Sequence, residues 1–570
     1  MKAGPRFFLI PIAFIFVLTS FSSCGQVASE KIFRNGVVVC SDPMAANVGL
    51  EILKAGGNAI DAACATAMAL AVTLPRAGNI GGGGFALIYL AESQEVRFLD
   101  FRETAPAGIK PEMYYDSQEN VDRDKALIGP LSAGTPGTIA GLFEMHKRLG
   151  RMPWSSLVVP ARYLADTGFA ILNHFESYII EYSDDLALYP STAEIFFPDG
   201  RPPISGSQFI QKDLAWTLGL IERNGRDGFY TGTVARKIAE FCAANGGVIS
   251  EEDLASYNPK WRDPVSFKFR DLDIYAPGLP SSGGIVMGQI LSILDEFELE
   301  KYTADSPQYL HLFTEASRRA FADREKYLGD PDFTQDFTKE LLDKNYLATR
   351  IQSINESKAS TSTEILPGVP KGSYEPTETT HLVAVDSAGN IVSLTYTINL
   401  SFGSKAVVEG CGFLLNNEMD DFAIKPGQAN AFGLVGGEAN KIEPGKRMLS
   451  SMTPTIVFRN NKPYMALGSP GGSTIISAVT QTIIYKRIFG MSLGEAILAP
   501  RIHHQWQPDS LYMEQERWDA STIQDLISRG HNVKERLPLG IVNAAAFQTG
   551  DHFIVGFSDI RTEGRSVSGY

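Results

Sequence analysis

Cysteine is scarce in this chain, with five in 570 residues. Cys40, Cys64, Cys242 and Cys411 are far apart, with no C-x-x-C pair and no zinc spacing, which argues against a thiolate metal site and a disulfide scaffold. Cysteines this sparse are expected as small buried apolar residues. Basic clusters are missing too. With 51 Lys and Arg against 65 Asp and Glu, the formal charge is −14, so no patch exists to displace counterions from nucleic acid. There is no H-E-x-x-H, EF-hand loop or P-loop. Gly81-Gly-Gly-Gly84 lacks the Lys-[Ser/Thr] that phosphate binding needs, and it precedes a strand pattern instead of opening a helix. His503 and His504 are neighbours on a predicted strand, so their rings point to opposite faces and cannot share one metal. No repeat and no low-complexity tract is visible, and beyond the first two dozen residues no run is long and apolar enough to span a membrane.

What is present starts with Lys2 and Arg6, followed by an apolar run over 7–18 and Thr-Ser-Phe-Ser-Ser-Cys24. This reads as a secretory signal over 1–23. Small residues leading into Cys24 resemble a bacterial lipobox, with Phe21 in place of the usual aliphatic residue. A lipid anchor on Cys24 and export to the periplasm or cell envelope are expected, with a plain signal peptide as the alternative. Hydrophobic content of 44% and charged content of 20% then suit a globular body. Two helices are predicted over 43–73, the second capped by Asn58 and apolar nearly all round, hence deep in a core. Strand patterns follow at 85–90 and 96–102. Helical patterns dominate 137–180, 212–245 and 306–350, strands return at 381–398 and 453–467, and a helix opens near 474. Periodicity alone supports a mixed α and β protein.

Two stretches carry chemistry. Pro367 to Glu378 is a polar, proline-interrupted loop, and Thr379-Thr-His381 opens a strand pair directly after it. A chain cut before Thr379 would expose a residue holding both a nucleophilic hydroxyl and an α-amine to act as its base. Thr397, on the second strand of that hairpin, can lie close to Thr379 across the ladder. Further on, a strand-like Met465-Ala-Leu-Gly468 meets the tight turn Ser469-Pro-Gly-Gly-Ser473 and a helix from Thr474. Glycines there let the N–H groups of Gly471 and Gly472 approach a developing oxyanion at a helix N-terminus, where losing one donor typically costs about 3 kcal/mol in the barrier.

An ordered set of motifs resembles the γ-glutamyltranspeptidase family of N-terminal-nucleophile hydrolases. It comprises Asn58-Ala-Ile-Asp-Ala-Ala63, Gly78-Asn-Ile-Gly-Gly-Gly-Gly-Phe85, Asp100-Phe-Arg-Glu-Thr-Ala-Pro106 and Thr379-Thr-His381. It continues through Thr395-Tyr-Thr-Ile-Asn399, Leu415-Asn-Asn-Glu-Met-Asp-Asp-Phe422, Leu449-Ser-Ser-Met452, Gly468-Ser-Pro-Gly-Gly-Ser473 and Pro500-Arg-Ile-His-His-Gln-Trp506. The resemblance spans almost the whole exported chain. It implies an α+β fold, a four-layer αββα sandwich, built from a large subunit (24–378) and a small catalytic subunit (379–570) that form a heterodimer after scission at 378/379. It also implies γ-glutamyl transfer from glutathione or related compounds to water, an amino acid or a dipeptide, without metal or other cofactor.

Each charged part of such a substrate needs its own partner. Arg102 is expected to fork onto the α-carboxylate, with hydroxyl donors from Ser450 and Ser451. Asn399, Glu418 and Asp421 are expected to accept from the α-ammonium, and the two acids can share a side only if their segment turns helically. Thr397 is expected to hydrogen-bond the nucleophile. Many relatives have glutamine where Glu418 stands, and several have tyrosine where Phe432 stands in the glycine-rich segment 422–446, which resembles a lid. Losing that phenol puts a hydrogen-bonded clasp in doubt. Two rival readings remain: a glutaryl or cephalosporin-type acylase of the same superfamily, whose substrate lacks the ammonium, and a surface-binding lipoprotein without catalysis.

Overall fold

The computed structural model describes residues 30–365, 379–548, 553–562 and 564–570. The signal segment 1–23, Cys24 and the loop through Glu378 lie outside the described residues.

Two seven-stranded sheets form the centre. One holds, in spatial order, Ser566–Gly569, Val37–Cys40, Thr380–Val385, Ile391–Thr397, Gly83–Leu90, Glu95–Phe101 and Lys260–Arg262, every pair antiparallel. The other runs Lys31–Phe33, Ile554–Ser558, Asn543–Phe547, Lys462–Gly468, Thr455–Arg459, Leu272–Ala276 and Val265–Phe269. The helices Pro43–Lys54 and Ala59–Thr73 cover the first sheet, and Gly283–Asp295 and Thr474–Arg487 cover the second. This is the four-layer sandwich expected from the motifs.

The hairpin after Thr379 sits in the middle of its sheet, so both faces are covered and all residues of Thr380–Val385 and Ile391–Thr397 are buried. Successive side chains serve opposite sides. Leu382, Ala384, Val392 and Leu394 join the core under the first helix pair, whereas Val383, Val385 and Ile391 join the core between the sheets. Thr380 pairs with Tyr396 in the ladder, which sets Thr379 opposite Thr397 on the inter-sheet side.

Local chemistry starts the covering helices. Asp42 caps the first, accepting from Ala45 N at 2.9 Å, and Asn58 with Asp61 forms a capping box at the second. All fifteen residues of that second helix are buried, which matches an apolar pattern with no polar stripe. Cys40, Cys64, Cys242 and Cys411 are free and buried, as expected. No helix among the described residues is long and apolar enough to cross a membrane.

Candidate active site

Arg102, Thr379, Thr397, Asn399, Glu418, Asp421, Ser450, Ser451 and Gly472 line one cavity, with Gly471 next in the chain. They come from distant segments. Arg102 follows the strand Glu95–Phe101, Thr379 precedes its own strand, and Thr397 closes the hairpin. Glu418–Asp421 is a single 3₁₀ turn, the helical geometry the two acids need to face the same way. Ser450 is held by a parallel bridge to Ser281.

The Thr379 hydroxyl donates to Thr397 Oγ1 at 3.4 Å. Thr397 Oγ1 also accepts from Asn399 N at 2.8 Å, and Asn399, at φ +73°, donates its side-chain amide to Asn417 O at 3.0 Å. The Thr397 hydroxyl is thus oriented from behind by main chain.

Gly471 and Gly472 have φ of +135° and +54°, a region side chains rarely adopt. A Cβ on Gly472 would stand 2.5 Å from the Phe432 ring, so the turn has no room for one. Among the described residues neither glycine N–H has an acceptor. Both precede the helix Thr474–Arg487, whose N-terminal dipole adds to their preference for negative charge.

Arg102 is fully buried, and its fork is already engaged. Nη1 lies 2.6 Å from Glu418 Oε2 and 3.4 Å from Glu103 Oε2, Nη2 bonds the Asp421 carboxylate, and Nε donates to Met448 O at 3.3 Å. Glu418 is close to Arg102 but off the hydrogen-bond axis, so neither of its oxygens is hydrogen-bonded. The group expected to bind a carboxylate and the groups expected to bind an ammonium therefore pair with one another. A zwitterion entering between them would exchange each partner for one of equal charge, which spares the site an uncompensated buried ion.

Three carboxyl groups share this arginine. Burial pushes Glu103 up to about 7 against the pull of Arg102, and burial also raises Glu418 well above its usual range and Asp421 to a lesser, still upward, degree. Asp100 faces Glu103, and Arg102 and Arg324 face Asp421. The cluster thus retains protons near neutrality, whereas an ammonium favours its ionised form and releases a proton on binding. KM for a γ-glutamyl anilide is expected to rise as pH falls and the raised carboxyls of Glu418 and Asp421 take up protons. A KM that stays level from about pH 5 to 8 would contradict this assignment. The stability effect has the opposite sense to that of an ordinary paired acid. The folded state binds the extra proton, so the site's contribution to stability declines as pH rises from the unfolded value of Glu103, 4.5, to about 7.

Phe432 lacks the phenol a hydrogen-bonded clasp would need, and its segment is held another way. Gln505 Nε2 donates to Phe432 O at 3.0 Å, and Gln505 Oε1 accepts from Ser473 Oγ at 2.5 Å and from His503 Nε2 at 2.9 Å. His503 Nδ1 takes the Ser477 hydroxyl at 2.8 Å, and burial pushes this imidazole down to about 3, so it stays neutral. His504 bonds Asp509 instead, at 3.2 Å. Both histidines are held by hydrogen bonds to different partners, and the strand expected to carry the pair ends at His503.

Sequence reasoning passed over Glu103, Arg324 and Gln505. Glu103 directly follows Arg102, and a second acid beside a buried arginine was the available signal. Arg324 lies among the charges of 318–326 in a stretch read only as helical, and everything from Tyr309 to Arg324 in its helix is buried.

The family model described as Gamma-glutamyltranspeptidase matches residues 45–569. The chain is 42% identical over 538 residues to the glutathione hydrolase proenzyme of Escherichia coli (strain K12), covering 94% of this chain and 92% of that protein. It is 44% identical over 519 residues to the glutathione hydrolase proenzyme of Pseudomonas aeruginosa, covering 90% and 91%. Among solved structures it is similar to the cephalosporin acylase from Bacillus halodurans, with a TM-score of 0.86, 27% identity and coverage of 98% and 99%.

Proposed function

Since the chain belongs to the γ-glutamyltranspeptidase family, we propose that it cleaves the γ-glutamyl bond of glutathione and related compounds through an ester on Thr379. The observation that carries this reading is the hydroxyl pair Thr379–Thr397 set beside a cavity with both a buried arginine and two acids.

In the intact chain the Thr379 nitrogen is an amide and cannot take a proton. The Thr379 oxygen attacks the Glu378 carbonyl, nitrogen leaves as an amine, and water hydrolyses the resulting ester. The products are a large subunit ending at Glu378 and a small one starting at Thr379. Central placement of the 380–397 hairpin between strands of the preceding segment supports a heterodimer that stays together after scission. The glutathione hydrolase relatives above carry the word proenzyme in their names, which supports the same maturation.

The freed α-amine then takes the hydroxyl proton as Thr379 Oγ1 attacks the substrate's γ-carbonyl. The new oxyanion meets the N–H groups of Gly471 and Gly472. Collapse expels the leaving amine, which takes the proton back from the α-ammonium. Water, an amino acid or a dipeptide repeats the sequence in reverse on the ester. Arg102 with Ser450 and Ser451 holds the α-carboxylate, and Asn399, Glu418 and Asp421 hold the α-ammonium. Phe432 covers the acyl chain.

Likeness to an acylase structure keeps a glutaryl substrate in view. Glutaryl compounds keep the carboxylate but lack the ammonium, so Glu418 and Asp421 would gain no cation from the substrate beyond the arginines already facing them. A γ-glutamyl anilide should exceed the glutaryl anilide in kcat/KM by at least ~100-fold, the scale of a charge-assisted interaction. Equal rates would turn the reading toward an acylase. Mature protein that migrates as one intact chain and hydrolyses neither anilide would favour a binding lipoprotein. Export and acylation at Cys24 complete the proposal, and mass spectrometry of the mature large subunit tests them by its N-terminal mass.

A further inference from the structure

Arg324 borders the same cavity as Thr379 and Arg102, and the reaction above gives it no part. It lies on the helix Pro307–Tyr327 and is 5% exposed. Its Nε donates to Ser282 Oγ at 2.9 Å and its Nη2 to Ser451 Oγ at 3.4 Å. Ser282 passes the contact on: its hydroxyl and its N–H both donate to Ser450 O, at 2.7 and 2.8 Å. One guanidinium thus spans the segment at Ser282 and the serine pair at 450–451, and a single ammonium group cannot reproduce that fork.

The direction of these bonds matters more than their number. Ser451 Oγ accepts from Arg324, and Ser450 Oγ accepts from Met452 N at 3.1 Å. Among the described residues neither hydroxyl donates to a protein group. A hydroxyl that receives an N–H turns its own hydrogen elsewhere, because one oxygen cannot direct its hydrogen at an incoming donor. Both serines are therefore left as donors, the polarity that an anion requires. Arg324 also faces Asp421, so its charge reaches the other half of the zwitterion site.

We infer that Arg324 is a positioning residue that sets Ser451 directly, and Ser450 through Ser282, as O–H donors to the substrate's α-carboxylate, while supplying that subsite's second positive charge. The inference rests on the proposed role of the serine pair. It predicts a selective defect in reading the carboxylate, with scission at 378/379 and acyl transfer from Thr379 left intact.

The test compares two 4-nitroanilides, γ-glutamyl and 4-aminobutyryl, the second lacking only the α-carboxylate. Arg324→Gln should raise KM for the γ-glutamyl anilide by about 10- to 100-fold with kcat within about threefold. Its kcat/KM on the 4-aminobutyryl anilide should stay within about twofold of the parent. Arg324→Lys should fall between the two, and Ser282→Ala should show the same split more weakly, which keeps the question open to decision should Arg324→Gln fail to fold. Equal losses on both anilides, or no loss on either, overturn the inference. A parent enzyme that handles both anilides equally well sinks the carboxylate role of the serines themselves, before any variant is made.

Discussion

Thr379→Ala is expected to give a chain that runs as one band on a denaturing gel and turns over no γ-glutamyl anilide. Two losses coincide. Without the oxygen there is nothing to attack the Glu378 carbonyl, so the nitrogen at position 379 remains an amide. Even a chain cut artificially at that bond would then carry a base with no nucleophile. Removing the attacking atom of a comparable hydrolase costs about 10⁶-fold in kcat, and the same scale is expected here. Folding should be little affected, because Thr379 precedes the strand Thr380–Val385 and its hydroxyl meets Thr397 at the cavity. Thr379→Ser keeps an oxygen and should still be cut, more slowly, because the lost methyl group loosens the rotamer that aims it at Thr397. N-terminal sequencing of the small fragment should read Thr-Thr-His-Leu. A Thr379→Ala protein that still yields two fragments would end the autocatalytic account.

Arg102→Met should be the second most damaging change, and it should affect stability and binding together. The guanidinium compensates the buried Glu103 and Glu418 and the part-buried Asp421. Stranding buried acids typically costs about 3–5 kcal/mol, although these three already hold protons readily and can soften the loss by taking up more. Losing two charge-assisted bonds to the α-carboxylate should raise KM by roughly 10²- to 10⁴-fold. Arg102→Lys keeps the charge without the planar fork and should recover most of the stability but only part of the affinity. Adding Glu418→Gln to Arg102→Met should restore melting temperature and leave KM high. Thermal unfolding and anilide kinetics on the same preparations separate the two effects, and an Arg102→Met enzyme with parental KM would remove Arg102 from the substrate site.

Much of the fold was legible because its signals are local. Asn58 and Asp61 announce a helix start, and the unbroken apolar run after them can only belong in a core. The hairpin after Thr379 shows as two apolar runs around Ser-Ala-Gly-Asn390, and the Pro-Gly-Gly turn shows a backbone that must approach something closely. By contrast, 260–295 carried no element in the pattern reading, yet it supplies three strands and the helix Gly283–Asp295. Those strands are three to five residues long, and short strands with mixed burial leave too little periodicity to recognise.

The amino-acid order by itself determined which residue types are available for acyl transfer and where the chain can be cut, since a hydroxyl beside a future amine is a matter of covalent connectivity. Tertiary structure alone decided their partners. Arg102 and the acids at 418 and 421 lie more than three hundred residues apart in sequence, and folding closes them into mutual ion pairs that no spacing rule encodes. The same holds for Arg324, whose place in a helical pattern names no partner and whose neighbours in space make it a buried support. Charges read their environment through distance and dielectric, and both are properties of the packed molecule.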